Sequence, residues 1–256
     1  ARLFVQTADL LKKAKETAKA QMVLGNAAIA YMQAEDYASA VTIYENLLSN
    51  PGKADQKILL KSYKNLVICH SHLEQHALKI QTLERMMQAL PKLPKAEISN
   101  VYAQMGDAYR ALEIYAPASA AYDKAAHLLP QDADPRVRGR LLTAMGLCQG
   151  NMGDFAGASE NLAKAKELAA RINEPLTLAE SDSNLGILYW ERGDYPQALQ
   201  LLNNSLETER KNTLRRNEGV DLNNLGLVKK SMGYFPDAMR AFEDALAIAR
   251  EVGNVK

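Results

Sequence analysis

An internal period constrains this chain more than any other feature. Met105-Gly106, Met145-Gly146, Leu185-Gly186 and Leu225-Gly226 recur at steps of 40 residues. Nine residues after each Gly stands an aromatic (Tyr115, Phe155, Tyr195, Phe235), and three beyond it an alanine (Ala118, Ala158, Ala198, Ala238). Two upstream copies keep the register: Ala27-Ala28 with Tyr37 and Ala40, and the more decayed Leu66-Val67 with His76 and Lys79. Six copies in register describe supersecondary units that cannot bury their apolar faces alone. Stacking neighbours buries a continuous core.

Composition says what the units are made of. The chain holds 39 Ala and 35 Leu in 256 residues, against 14 Gly and 9 Pro. A chain rich in strong helix formers and poor in breakers is helical. Pro91, Pro130 and Pro135 fall between units, where helices stop. Pro196 and Pro236 fall in a first helical turn, where a missing N–H costs nothing. In the fifth unit the spacing predicts one helix from about Leu176 to Glu191, a turn at Gly193-Asp194, and a second helix from Tyr195 to Arg210. Lys+Arg 31 against Asp+Glu 30 leaves a net charge of +1, which excludes a protein held to nucleic acid by a global basic field. No apolar run is long enough to span a membrane. Two cysteines, Cys69 and Cys148, exclude a disulfide-rich scaffold.

The copies resemble tetratricopeptide repeats. Repeat 3 reads Met105, Gly106, Tyr109, Tyr115, Ala118, Tyr122, Ala125, Pro130, and repeat 5 reads Leu185, Gly186, Tyr189, Gly193, Tyr195, Ala198, Leu202, Ser205. The 40-residue unit, whose second helix closes on Ala245 to Asn254, is similar to the longer subclass of Pins/LGN-type adaptors, kinesin light chain and bacterial Rap-type receptors. The resemblance implies an all-α fold: a right-handed α-solenoid of stacked antiparallel helix pairs, helix A and helix B in each repeat. It divides one array, 1–256, into repeats at about 20–57, 58–96, 97–135, 136–175, 176–215 and 216–256. Residues 1–19 read as half of a preceding repeat, with Ala1, Val5 and Ala8 in its B-helix slots, or as a capping helix. Gly253 to Lys256 reads as a link to a further repeat, so the chain is expected to be a piece of a longer protein.

Nothing in this pattern points to catalysis. Cys69, His72 and His76 share a helix face at i, i+3, i+7, a spacing a metal could use. The repeat register accounts for them otherwise: Cys69 matches Cys148, His70 replaces the family tyrosine, and His76 takes the aromatic slot that begins helix B. Gly146, Gly150, Gly153 and Gly157 lack the Gly-Lys-Ser/Thr of a phosphate loop and follow no strand. No Ser/His/Asp set converges, and the expectation is no enzyme, no cofactor and no metal.

The stripe along the A helices is more informative, and the resemblance identifies it as the concave face. Two residues before the Gly slot stand Asn26, Asn65, Gln104, Ala144, Asn184 and Asn224. Six before it stand Met22, Lys61, Asn100, Arg140, Glu180 and Val220, and ten before it Lys57, Arg136 and Arg216. Asn and Gln amides both donate to and accept from an extended backbone, and Lys or Arg nearby favours acidic residues. The set departs from the family's carboxylate clamp, since repeats 1 to 3 give Met22 with Asn26, Asn65, and Asn100 with Gln104. The candidate peptide-binding residues are therefore Asn26, Lys61, Asn65, Gln104, Arg136, Arg140, Asn184, Arg216 and Asn224. The other account of the stripe is a solvated groove whose Asn side chains bind water or the next helix. The expected function is a non-catalytic protein-interaction scaffold holding an extended peptide or helix of a partner, acidic in character, with no nucleic acid and no membrane insertion, in the cytoplasm. The alternatives are a regulatory arm of a larger signalling protein and a peptide-pheromone receptor.

Overall fold

The computed structural model describes residues 1–13, 17–49 and 56–253. Among them are thirteen α-helices: α1 (Arg2–Lys13), α2 (Thr17–Gln33), α3 (Tyr37–Ser49), α4 (Gln56–His72), α5 (His76–Ala89), α6 (Lys95–Ala111), α7 (Tyr115–Leu128), α8 (Pro135–Asn151), α9 (Phe155–Arg171), α10 (Pro175–Glu191), α11 (Tyr195–Lys211), α12 (Arg215–Ser231) and α13 (Phe235–Glu251). The fold is all-α, a solenoid of helix pairs. Two compact units divide it, Ala1–Ile114 and Tyr115–Lys256. In the first, each of α1 to α6 packs on the next in sequence. In the second, α7 to α13 do the same, and α10 also touches α8 and α12, the A helices of the flanking repeats. The link 254–256 lies outside the described residues.

The turns between A and B helices are built alike. The residue seven after the Gly slot takes a left-handed conformation every time: Glu35, Glu74, Glu113, Gly153, Gly193 and Gly233. The next amide then reaches back to the A helix. Asp36, Gln75, Ile114, Asp154, Asp194 and Tyr234 each donate N–H to a carbonyl five residues earlier, at 2.9 Å. This satisfies a helix-terminal carbonyl that would otherwise lack a partner. Where that position is Asp, its carboxylate also starts helix B: Asp36 accepts from Ser39 N–H and Asp154 from Gly157 N–H.

Within a repeat, a small residue on helix A faces a large one on helix B sixteen residues later. A Cβ on Gly186 would lie 2.9 Å from Leu202 Cγ, on Gly146 2.7 Å from Leu162 Cγ, and on Gly226 2.5 Å from Phe242 Cε1. Those are closer than carbon atoms approach, so the glycines set the distance between the helices. Ala28 with Tyr44 and Val67 with Leu83 hold the same slots in repeats 1 and 2. The alanine twelve after the Gly slot is buried wherever it occurs in Ala40, Ala118, Ala158, Ala198 and Ala238. His76 begins α5, as the register predicts.

Candidate functional site

Each unit carries a groove between consecutive A helices, lined by equivalent residues. In the first unit a cavity of about 470 Å³ lies between α2 and α4, with Ile29, Met32 and Ile68 as its apolar lining and Lys61, Asn65 and His72 on its α4 side. In the second unit a smaller cavity of about 70 Å³ lies between α8 and α10, among Leu147, Asn151, Asn184, Ile187 and Glu191. In both, one helix contributes the residues one, four and five after the Gly slot, and the next helix contributes those two before, one after and five after it.

Of the residues expected in the stripe, Lys61 and Asn65 share the first cavity and Asn184 lines the second. Asn26 on α2 is exposed and Gln104 on α6 half-buried. Asn65 also has a role inside the fold. Its Nδ2 donates to the hydroxyl of Tyr44 at 2.7 Å, and Tyr44 is among the most deeply buried side chains. Burial pushes that hydroxyl's pKa up, and the bond to Asn65 opposes the shift. Removing the Asn65 amide would strand a buried hydroxyl. Arg136 sits in the first turn of α8, its backbone N–H on the capping Asp134 carboxylate. Arg140 is exposed beside Glu180, whose carboxyl is pushed up by burial and by Glu174 and held down by Arg140. Arg216 lines a different hollow, between α12 and α13. Asn224 donates to Asp221 Oδ1 at 3.3 Å.

The histidine and cysteine cluster is structural in its contacts. Cys69 is fully buried, with its thiol pushed up to about 11 by burial. His70, also buried, shares a hydrogen bond of 2.9 Å between Nδ1 and Gln75 Oε1. His72 stacks on Tyr37 with ring centroids 4.1 Å apart. Among the described residues no group of three or more His, Cys, Asp or Glu is placed to hold a metal ion.

A cluster of buried acids in the second unit lies outside the stripe. Asp182 on α10, Glu209 on α11, and Glu218 and Asp221 on α12 are all buried. Lys166 of α9 meets Asp182 at 2.5 Å. Arg210 Nε and Arg215 Nη1 clasp the two oxygens of Glu218 at 2.8 and 2.5 Å, and Arg215 continues to Glu251 of α13. Ser183 of α10 donates to Asp221 Oδ1. The other Asp221 oxygen, Oδ2, and Glu209 Oε2 are buried without a partner. Burial, then the neighbouring Asp221 and Glu218, push the Glu209 carboxyl up to about 8. Burial also raises Asp221 and Asp182. The cluster ties α9 to α13 through charge-assisted bonds and keeps at least one carboxyl protonated at neutral pH. A signal for it exists in the sequence. Asp182 takes a slot held elsewhere by Leu24, Tyr63, Tyr102, Leu142 and Leu222, and Glu209 one held by Ala169 and Ala249.

A tetratricopeptide repeat profile matches residues 138–211 and 177–251. No curated protein sequence matches the chain. Several solved structures share the fold. BtubC (BKLC) from P. vanneervenii aligns at a TM-score of 0.66 and 15% identity, over 87% of this chain and 91% of that one. A putative kinesin light chain from P. anserina, with nearly identical TPR-like repeats, aligns at 0.61 and 16%, over 77% and 97%. A Rap protein complexed with competence and sporulation factor aligns at 0.64 and 15%, over 91% of this chain and 66% of that chain.

Proposed function

Since the chain is a repeat protein of the tetratricopeptide type, we propose that it is a non-catalytic interaction scaffold whose A-helix grooves hold an extended segment or helix of a partner protein. One observation carries this: the two units form their cavities from the same repeat positions, so the groove is a property of the repeat and not of one sequence accident. The chemistry of the lining suits a peptide. Ile29, Met32 and Ile68 offer an apolar floor for a side chain, the carbonyl oxygen of Asn65 accepts, and Lys61 favours an acidic neighbour. In the second unit Asn184 supplies the amide. The Rap neighbour, solved with a bound factor, is a precedent for a fold of this kind taking a ligand.

The test is a displayed peptide library selected on the full chain. The enriched peptide is then titrated calorimetrically against the wild type, Lys61→Glu, Asn184→Ala and the exposed control Glu207→Lys on α11. The expected result is a loss of about tenfold from Lys61→Glu or Asn184→Ala, according to the groove selected, and none from Glu207→Lys. Full binding to both groove variants, with loss at Glu207→Lys, would place the docking surface on the outer B-helix face instead.

A further inference from the structure

The first two turns of α12, Arg215 to Asp221, bury no apolar side chain. Their buried side chains are Glu218 and Asp221, and Val220 beside them is 56% exposed. Farther along the same helix the hold is different. Leu222, Leu225 and Val228 join the core formed with Ala198, Leu202 and Leu206. The start of α12 is therefore held on α10 and α11 by charge and hydrogen bonds, and its remainder by apolar packing. The neighbouring repeats fill these places with other residues. The slot of Asp221 is Leu141 in repeat 4 and Ser181 in repeat 5, that of Glu218 is Leu178 in repeat 5, and that of Glu209 is Ala169 in repeat 4.

Charge at this junction does not balance. From α9, Lys166 meets Asp182 of α10. Arg210 of α11 and Arg215 of α12 both meet Glu218, and Arg215 also reaches Glu251 of α13. Arg210 acts on Glu209 as well, but its Nε is bonded to Glu218. Ser205 lies beside both Glu209 and Asp221 and gives its own proton to the Ala179 carbonyl at 2.9 Å. Asp221 Oδ1 accepts from Ser183 and Asn224. Asp221 Oδ2 and Glu209 Oε2 are left, both buried, without a donor. A proton on Glu209 relieves this arrangement, since one of the two carboxyls is then neutral. Without it two carboxylates share a junction closed to water. The segment free to move and admit water is the one without apolar anchorage.

We propose that residues 212–214 and the first two turns of α12 form a proton-operated latch, seated while Glu209 is protonated and released when it ionises. Release carries Glu218 and Asp221 away from Glu209 and leaves that carboxylate in water. It also takes Arg216, a residue of the A-helix stripe, out of line with the others. The latch hinges at Leu222, where α12 enters the apolar core. The sign follows from the two states of Glu209. Seated, its carboxyl is held up to about 8, and released, it returns to its ordinary value of 4.5. Opening then grows about tenfold per pH unit between roughly pH 5 and pH 8 and levels off above.

Amide hydrogen exchange of the full chain, resolved by residue at pH 6, 7 and 8 and corrected for the intrinsic rise of exchange with pH, tests this. Amides 219–225 bond to the carbonyls of 215–221 and report the latch, whereas amides 227–231 report the part of α12 on the apolar core. Protection of 219–225 is expected to fall about tenfold per pH unit and to lie at least about tenfold below that of 227–231 at pH 8. Glu209→Gln and Glu209→Ala, the second restoring the residue at 169, are each expected to remove the pH dependence of 219–225. Circular dichroism checks the fold of both variants, and either one alone is sufficient. Protection of 219–225 equal to that of 227–231 at pH 8 would mean that the junction opens only with the whole unit, and would overturn the latch. So would a wild-type profile of 219–225 that is flat with pH, or the same slope in the folded variants as in the wild type.

Discussion

At the scale of single residues, the most informative group is Glu209. It is 1% exposed, and its Oε2 finds no hydrogen-bond donor. Burial, Asp221 and Glu218 raise its folded pKa to about 8 from an ordinary value of 4.5. The consequence for stability has a definite sign. Below the ordinary value both folded and unfolded chains carry the proton, and the group costs nothing. As pH rises past it, the unfolded chain releases the proton and the folded one keeps it. Stability of the second unit therefore falls between roughly pH 5 and pH 8 and levels off above, by on the order of a few kcal/mol. Asp221, raised in the same direction, adds to the slope. The lowered acids Asp36 and Glu251 act the other way, but in a window below the ordinary carboxylate range. Urea melts of wild type and Glu209→Gln at pH 5, 6.5 and 8 check this. The wild type is expected to lose stability across the series and the Gln variant to lose much less, because a neutral amide has no proton to hold. An identical slope in both would mean that Glu209 is ionised in the fold.

At the scale of helices and turns, the period already determines most of what is seen. The boundaries predicted for repeat 5 fall within one residue of α10 (Pro175–Glu191) and α11 (Tyr195–Lys211), because proline, glycine and the aromatic slot mark helix ends by steric rules that need no tertiary information. The grooves were legible as a stripe of residues on one helix face. The double use of Asn65 was not, since its bond to Tyr44 joins residues 21 apart in the chain across a packing interface. The acids at Asp182, Glu209, Glu218 and Asp221 were open to notice as departures from the repeat pattern, but their mutual proximity depends on how α9 to α12 pack. Turn chemistry makes a separate prediction. The left-handed residue is glycine in repeats 4 to 6 and glutamate in repeats 1 to 3, at Glu35, Glu74 and Glu113 with φ of 59°, 54° and 59°. A Cβ there costs about 1–2 kcal/mol, partly offset because glycine also loosens the unfolded chain. Each of Glu35→Gly, Glu74→Gly and Glu113→Gly is expected to stabilise its unit by about 0.5–1 kcal/mol, while Gly193→Ala is expected to destabilise by a similar amount. Denaturant titration of the triple variant decides it. A destabilised triple variant would show that the glutamate side chains contribute more than their backbone conformation costs.

At the scale of the whole molecule, stability in a stacked array is set by each repeat and its immediate neighbours, so a weak repeat stays locally weak. Repeat 2 has three departures, each with a physical cost. Val67 stands in the close-approach slot that glycine holds in repeats 3 to 6, so α4 and α5 meet around a branched side chain. Lys79 stands where Ala40, Ala158, Ala198 and Ala238 are buried, and burial lowers its pKa against the opposing pull of Asp107. His70 is buried with Nε2 unpartnered. Its second helix is also shorter, 14 residues in α5 against 17 in α11. By contrast α10 and α11 close on Gly186 and Leu202 with no departure at those slots, and α12 packs over α11. We expect amide hydrogen exchange to be faster in residues 60–88 than in residues 185–210 under native conditions. Lys79→Ala should slow exchange in the first segment, since it restores the residue used by the other repeats and removes a desolvated amine. Acidification separates this weakness from the one at Glu209, because at lower pH the unfolded chain no longer gains by releasing the Glu209 proton, while Val67 and the Lys79 charge are unchanged. Equal protection of the two segments at neutral pH would mean that α4 and α5 draw enough stability from α3 and α6 to conceal their own mismatches, and that cooperativity in the first unit extends over more than one repeat.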